Sequence, residues 1–99
     1  MSASAASIRH AEQGDGGAFL MERDGDRVAE LTYRLEDDAR ATLDHTYVSP
    51  DLRGEGVAMQ LVEAAVDWAR QSGTKLTPAC SYARAAFERE QRFADVLAD

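Results

Sequence analysis

The sequence predicts an α+β fold, an α/β sandwich in which a mixed, mostly antiparallel sheet is covered by two helices. Three patterns indicate this: period-two alternation through much of the first half, a long amphipathic helix near the centre, and a short strand followed by a second helix. The 99 residues suffice for one domain and are too few for two. We therefore expect a single domain over residues 8–99, preceded by a flexible tail at residues 1–7.

The first half of the chain is typical of four strands. A short strand is expected from Ile8 to Glu12, followed by a glycine-rich loop at 13–17. Residues 18–48 predict three more strands joined by two turns. The first turn is Asp24-Gly25-Asp26, because Asp and Gly tolerate positive φ angles, and residues 36–38 supply the second. Alternation is clearest in the middle strand, where one buried face is predicted from Ala29, Leu31, Tyr33 and Leu35.

The strand expected at 40–48 changes face along its length. Ala41, Leu43 and His45 lie on one side, and the pattern then shifts near Thr46 to Val48. One extra residue in a strand, a β-bulge, accounts for such a shift. We therefore expect a bulge near Thr46 to Val48.

The second half predicts helix, strand, helix. Apolar residues recur at helical spacing from Ala58 to Ala69, and Ser72-Gly73 is typical of a helix C-terminus. Residues 75–80 predict a short strand. Residues 81–90 predict a second helix with Ser81 as its N-cap. A last apolar turn is expected through Phe93, Val96 and Leu97.

Charge and composition exclude several classes of function. The formal net charge of −7 argues against a nucleic-acid-binding protein, which needs clustered Lys and Arg, and mildly favours a cationic partner such as an amine. A single cysteine allows neither an internal disulfide nor a cysteine-based zinc site, and no metal-ligand spacing emerges. No segment resembles a secretory signal or a membrane span, so a cytoplasmic protein is expected.

The segment from Val48 to Val66 combines a strand end, two glycines and a helix start. Free backbone N–H groups and the positive end of the helix dipole meet there and form an anion site. Gly54 and Gly56 would let a phosphate approach the backbone, and Arg53 would add charge. Neither a P-loop nor a dinucleotide fingerprint fits, since no Lys is near and Met59 replaces the third glycine. A turn that only caps the helix is an equally good explanation of the local pattern.

The loop and three further segments together resemble a known family. Residues 53–58 match R/Q-x-x-G-x-G/A, the signature of the GNAT superfamily of N-acetyltransferases. A small branch of that superfamily has three motifs in this order: HT-x-V-x-P-x-x-RG-x-G-I/V-A, P-x-CS-Y/F and FE…F/Y-AD-x-L. They correspond here to residues 45–58, 78–82 and 87–97. The hairpin DGDRVAELTYRL is also similar, so the resemblance spans roughly residues 8–97.

The resemblance implies a minimal GNAT fold with acetyl-CoA as co-substrate. In that fold the pantetheine arm lies between two splayed parallel strands, the first ending here at Val48, and the pyrophosphate sits on the glycine loop. The chain lacks the helical insertion that forms much of the acceptor site in larger members, so the acceptor is an unknown amine. A monomer or weak dimer is expected. The predicted cofactor-binding residues are Val48, Arg53, Gly54, Glu55, Gly56, Val57, Ala58 and Tyr82.

The resemblance points to Cys80 as the catalytic cysteine. A thiol there can donate a proton to the departing CoA thiolate, or attack the thioester and carry the acetyl group itself. An inert, buried cysteine is the alternative. His45 is a candidate base for Cys80 or for the incoming amine, and equally a structural residue. Tyr82 can place a phenol near the thioester or pack as a helix-start aromatic.

Several other residues have simpler explanations. Arg84 and Arg89 can meet CoA phosphates or lie on solvated helix faces, Trp68 is most simply part of the core, and His10 has no evident partner. Two functions follow from the resemblance: an acetyl-CoA-dependent N-acetyltransferase, and a non-catalytic module that binds or senses acetyl-CoA. A small interaction domain is the remaining possibility.

Overall fold

Five strands form a single sheet in the order β1-β2-β3-β4-β5 in the computed structural model, which describes residues 8–98. The first three pairs are antiparallel hairpins and β4 pairs with β5 in parallel. The mixed, mostly antiparallel α+β architecture is therefore confirmed, while the tail expected at residues 1–7 lies outside the described residues. The strands are β1 Ile8–Gln13, β2 Gly16–Arg23, β3 Asp26–Asp37, β4 Arg40–Val48 and β5 Lys75–Pro78.

The hairpin turns follow the local turn chemistry. Asp24 and Gly25 have φ angles of 55° and 83° and form a two-residue turn, whereas Asp26, predicted as part of the turn, begins β3. The glycine-rich loop expected at 13–17 is shorter, because Gly16 and Gly17 belong to β2. Close contacts with both neighbouring strands explain them: a Cβ on Gly16 would clash with the Tyr33 carbonyl oxygen, and one on Gly17 with the Ala11 carbonyl oxygen and, at 2.7 Å, with the Tyr33 hydroxyl. These glycines let the neighbouring backbone and the Tyr33 side chain approach closely rather than forming a loop.

A bulge interrupts the pairing of β3 with β4, earlier than the sequence indicates. Thr32 pairs with His45 but Tyr33 pairs with Leu43, so Asp44 is the extra residue. Asp44 and His45 consequently both lie on the outer face of the sheet, where both are exposed. The expectation that His45 shares a face with Ala41 and Leu43 was wrong, because the bulge precedes His45.

Helices α1 (Val57–Ser72) and α2 (Ser81–Arg89) pack with the inner face of the sheet into one core. The predicted apolar stripe of α1 is buried from Leu61 to Ala69, and α1 ends as expected at Gly73, which has φ 72°. A 3₁₀ turn at Gln91–Val96 closes the core with Phe93 and Val96, whereas Leu97 is 40% exposed. The largest fully buried side chains in this core are Phe93, Met21, Leu31, Leu43, Leu61, Leu76, Val62 and Val66.

The start of α2 differs from the prediction by one residue. Its N-cap is Cys80, in an extended conformation with φ −80° and ψ 154°, and Ser81 is the first helical residue. Ser81 was predicted as the N-cap from its hydroxyl, but the backbone leaves β5 in extended form until Cys80. Within residues 8–98, no helix is long and apolar enough to cross a membrane.

Candidate active site

The parallel strands β4 and β5 separate part-way along their length. They pair from Arg40 opposite Lys75 to Leu43 opposite Pro78. The carbonyl oxygen of Leu43 then accepts hydrogen bonds from the amides of Ala79 and Cys80, at 2.9 and 3.1 Å. Beyond this point β4 continues to Val48, while the segment after β5 turns into α2. The two elements thus enclose the V-shaped opening that the sequence resemblance implies.

A cleft of about 420 Å³ lies at the wide end of this opening, between the end of β4, the glycine loop and α2. Seven of the eight predicted cofactor-binding residues line it; Glu55 is exposed and does not. Leu52 and Arg89 line it in addition. The lining residues are Val48, Leu52, Arg53, Gly54, Gly56, Val57, Ala58, Tyr82 and Arg89.

The loop before α1 presents bare backbone to this cleft. Gly54 and Gly56 have φ angles of 88° and 77°, a region that disfavours residues with a Cβ. Gly56 is the N-cap of α1, without a side-chain cap and without an acidic residue in the first turn. The first amides of the helix therefore point their N–H groups and the positive end of the helix dipole outwards. Gly56 caps the helix and at the same time leaves an anion site.

Two arginines add positive charge around the cleft. Arg53 comes from the loop and Arg89 from the last turn of α2. Within residues 8–98 neither forms an ion pair, whereas Arg70 and Arg92 are each held by carboxylates. In a chain of net charge −7, two such guanidinium groups beside uncapped amides favour an anionic ligand.

Cys80 lies at the narrow end of the opening. Its Sγ is 3.2 Å from the hydroxyl oxygen of Thr46 on β4, and both residues are half-buried. Thr46 and Val48 are two residues apart on one strand and share its inner face, about 7 Å from each other. Tyr82, which also lines the cleft, follows Cys80 by two residues. The cleft therefore leads towards the Thr46–Cys80 contact.

His45 lies on the other side of β4. Its Nε2 is 3.7 Å from Oε2 of Glu30 on β3, whose other carboxylate oxygen accepts a hydrogen bond from Arg27 at 2.9 Å. The His45 side chain is 58% exposed on the outer face of the sheet. The structure does not bring it to Cys80, because the bulge at Asp44 turns it outwards. A role as the base of Cys80 is thus not supported by this geometry.

These features can be compared with known proteins. The profile described as GCN5-related N-acetyl-transferase matches residues 18–96 of the chain. The chain belongs to the GCN5-related N-acetyltransferase family. As an N-acetyltransferase of that family it carries out acetyl-CoA-dependent acetyl transfer. A comparison with curated protein sequences gives no significant match.

Solved structures of the same superfamily share the fold. A GCN5-like protein from Staphylococcus aureus is 31% identical, with a TM-score of 0.70, and the match covers 92% of this chain and 88% of that one. An acetyltransferase from Elizabethkingia anophelis, solved with acetyl-CoA bound, has a TM-score of 0.66 at 12% identity, covering 88% and 74%. The ribosomal-protein-alanine N-acetyltransferase of Brucella melitensis has a TM-score of 0.63 at 23% identity, covering 88% and 64%. At 12% and 23% identity, the similarity to the last two structures shows a shared fold alone.

An aromatic cluster beside β1 was not predicted. His10 Nε2 is 2.6 Å from the hydroxyl of Tyr33, and its ring stacks on Phe19 with Trp68 at its edge. Burial, with a smaller effect of the Glu12 carboxylate, raises the pKa of Tyr33 above its usual value of 10.0. Trp68 is half-buried here, in keeping with its expected place in or beside the core. Within the described part of the chain, no group of His, Cys, Asp and Glu is arranged to hold a metal ion.

Proposed function

We propose that acetyl-CoA binds in the cleft between the end of β4 and α2. The uncapped amides at the start of α1 and the guanidinium groups of Arg53 and Arg89 suit the pyrophosphate. The opening between β4 and the chain after β5 is an extended slot suited to the pantetheine arm. Val48 and Tyr82 flank that slot. Glu55 is not part of the proposed site, because its side chain does not line the cleft.

The transfer itself is a direct attack of a primary amine on the thioester. The amine nitrogen forms a bond to the carbonyl carbon, and the carbon–sulfur bond breaks with its electron pair remaining on the CoA sulfur. His45 takes the proton from an amine that approaches the thioester from the outer face of the sheet, where its imidazole is exposed, and passes it to solvent. Cys80 gives its thiol proton to the CoA thiolate and recovers one from solvent.

The contacts of Cys80 favour this acid role over covalent catalysis. A thiol that attacks a thioester is normally activated by an adjacent base. Within residues 8–98 the polar side-chain contact of Cys80 is the Thr46 hydroxyl, which is not a base, and His45 faces the other side of the strand. The observation that carries the proposal is therefore the placement of Cys80 at the narrow end of the slot, without a base beside it.

Two substitutions test the proposal. Cys80→Ala and His45→Gln should each lower kcat, by 10²- to 10⁴-fold if proton transfer is the main loss. The Kd for acetyl-CoA, measured by calorimetry, should stay within about twofold. Turnover is followed as CoA thiol released with a panel of primary amines and lysine peptides. Arg9→Gln is the control, because Arg9 lies on β1, the opposite edge of the sheet from β5, where it pairs with Glu22, and its loss should leave kcat unchanged.

The outcomes separate the candidate functions. Wild-type kcat in Cys80→Ala would remove the acid role, and an acetyl adduct on Cys80 in the intact mass would replace it with covalent transfer. Binding of acetyl-CoA without turnover for any amine tested would favour a non-catalytic sensing module. The cytoplasmic location and the monomeric or weakly dimeric state stay predictions, and the acceptor is an amine of unknown identity.

A further inference from the structure

We infer that Thr46 is the positioning residue for the thiol of Cys80 in the transfer reaction. The inference rests on the proposed function, in which Cys80 gives a proton to the CoA thiolate. Thr46 Oγ1 and Cys80 Sγ are 3.2 Å apart, well inside the range of a hydrogen bond to sulfur. The contact bridges the narrow end of the opening between β4 and the chain entering α2.

The hydroxyl suits this task in both protonation states of the thiol. A threonine hydroxyl is one donor and two acceptors, and it rotates to suit its partner. With its O–H directed at Sγ, the S–H bond is free to point towards the cleft. When the proton leaves for CoA, the same O–H remains as a donor to the thiolate. A hydrogen bond to a charged acceptor is stronger than one to a neutral acceptor, so Thr46 favours the state that Cys80 reaches during turnover.

The backbone around the pair is fixed independently of the two side chains. Cys80 is held through its amide by the carbonyl of Leu43, and Thr46 lies within β4 opposite Leu31. A change at Thr46 should therefore alter the orientation and reactivity of the thiol without moving either strand. On this backbone the Arg84 guanidinium of α2 donates to the Ala79 carbonyl oxygen at 3.4 Å, and Tyr82 follows Cys80 by two residues. These groups are retained in every Thr46 variant.

The experiment uses the fact that Cys80 is the only cysteine in the chain. Alkylation by iodoacetamide at one fixed pH, followed by intact mass over time, reports on this one thiol. Thr46→Val keeps the shape of the side chain and removes the hydroxyl, and Thr46→Ser restores the hydroxyl. The alkylation rate should fall roughly three- to tenfold in Thr46→Val, which has lost the hydrogen bond to the reacting sulfur, and return in Thr46→Ser. Melting temperatures of the three proteins check that each is folded.

Turnover is measured on the same proteins. In Thr46→Val, kcat should fall roughly five- to tenfold with an unchanged KM for acetyl-CoA, and Thr46→Ser should recover most of the loss. A merely structural role would make Ser and Val equally poor, and that result would overturn the inference. So would an unchanged alkylation rate in Thr46→Val.

Failure of the inference is distinguishable from failure of the proposed function. If Cys80→Ala loses turnover while Thr46→Val leaves both alkylation and kcat unchanged, the acid role of Cys80 stands and the role of Thr46 is wrong. A different result is slower alkylation in Thr46→Val with an unchanged kcat in both Thr46→Val and Cys80→Ala. The contact would then exist without a catalytic use, and both proposals would be wrong.

Discussion

The amide of Cys80 donates a hydrogen bond to the carbonyl oxygen of Leu43 at 3.1 Å. The neighbouring amide of Ala79 reaches the same oxygen at 2.9 Å, so backbone atoms set the point at which the two parallel strands part. The side chain of Cys80 contributes no cap to α2. The opening can therefore persist when this side chain is changed.

Cys80→Ala should accordingly be folded and nearly as stable as the wild type. The substitution removes one half-buried sulfur atom and leaves both backbone hydrogen bonds, which predicts a loss of about 1 kcal/mol or less. Urea unfolding followed by tryptophan fluorescence measures it. A loss of several kcal/mol would mean that Cys80 is chiefly structural and would weaken any catalytic interpretation of its variants.

Gly56→Ala should weaken CoA binding beyond its effect on stability. The φ of 77° makes any Cβ strained, at a cost of about 1 kcal/mol, and the new methyl group would stand at the lining of the cleft. Gly73→Ala is the matched control: its φ is 72°, a Cβ there also meets open space, and it ends α1 away from the cleft.

The two variants should lose similar amounts of unfolding free energy, whereas only Gly56→Ala should bind CoA roughly tenfold more weakly by calorimetry. Equal CoA affinities in the two variants would contradict the proposed pose of the pyrophosphate. A valine at position 56 is a poorer probe, because a β-branched side chain at positive φ would disturb the fold as well.

Arg89→Ala should lower the affinity for CoA, roughly tenfold at low ionic strength, because a charge-assisted hydrogen bond to phosphate is lost. Arg84→Ala, on the same helix but outside the cleft lining, is the control and should change the affinity less than twofold. Added salt should narrow the difference between wild type and Arg89→Ala. A salt-independent difference would indicate an effect on packing instead.

Asp95 should stabilise the fold only at pH values at which its carboxylate is charged. Arg70 donates to it through Nε and Nη2 at 2.8 and 3.0 Å, and this holds the pKa of Asp95 below its usual 3.8. A lowered pKa in the folded state means that the stabilisation is present above that usual value and is lost as the pH falls through the folded pKa.

The melting temperature of Asp95→Asn should thus lie below that of wild type at pH 7, and the two should converge as the pH drops below about 4. Asp38→Asn is the control, since Asp38 forms no ion pair within residues 8–98. If the difference in melting temperature between wild type and Asp95→Asn stayed constant down to pH 2, the ion pair would not be its cause.

Local patterns predicted most of the fold. Alternation predicted the buried face of β3 at Ala29, Leu31 and Tyr33, but Leu35 near its end is 39% exposed. The Asp24-Gly25 turn was recognisable because both residues accept positive φ. Helical spacing predicted the apolar stripe of α1, and Ser72-Gly73 its C-terminus. The sequence pattern indicated the bulge further along β4 than Asp44, where it occurs. Three consecutive residues, Asp44 to Thr46, are polar or titratable, and only the pairing with Thr32 and Tyr33 decides which one is extra.

The glycine loop of the candidate site was predictable and its surroundings were not. Backbone chemistry and the family signature marked residues 53–58, but Arg89 meets that loop only through tertiary packing, so the sequence left it open between CoA phosphates and a solvated helix face. The contact between Thr46 and Cys80 joins residues 34 positions apart, so no local signal reveals it. Gly16 and Gly17 were the sequence signal for the close approach of β1 and of Tyr33, since glycine within a strand marks such an approach.

The most direct test of the account is a titration of ¹⁵N-labelled protein with CoA, followed by amide chemical shifts. We expect the largest changes at Gly54, Gly56, Val57 and Ala58, with smaller ones at Val48 and Tyr82, and little change around the His10–Trp68 cluster. Binding of CoA that shifts the amides around His10 and Trp68, while those of residues 54–58 stay in place, would contradict the central claim that this cleft holds the acetyl donor.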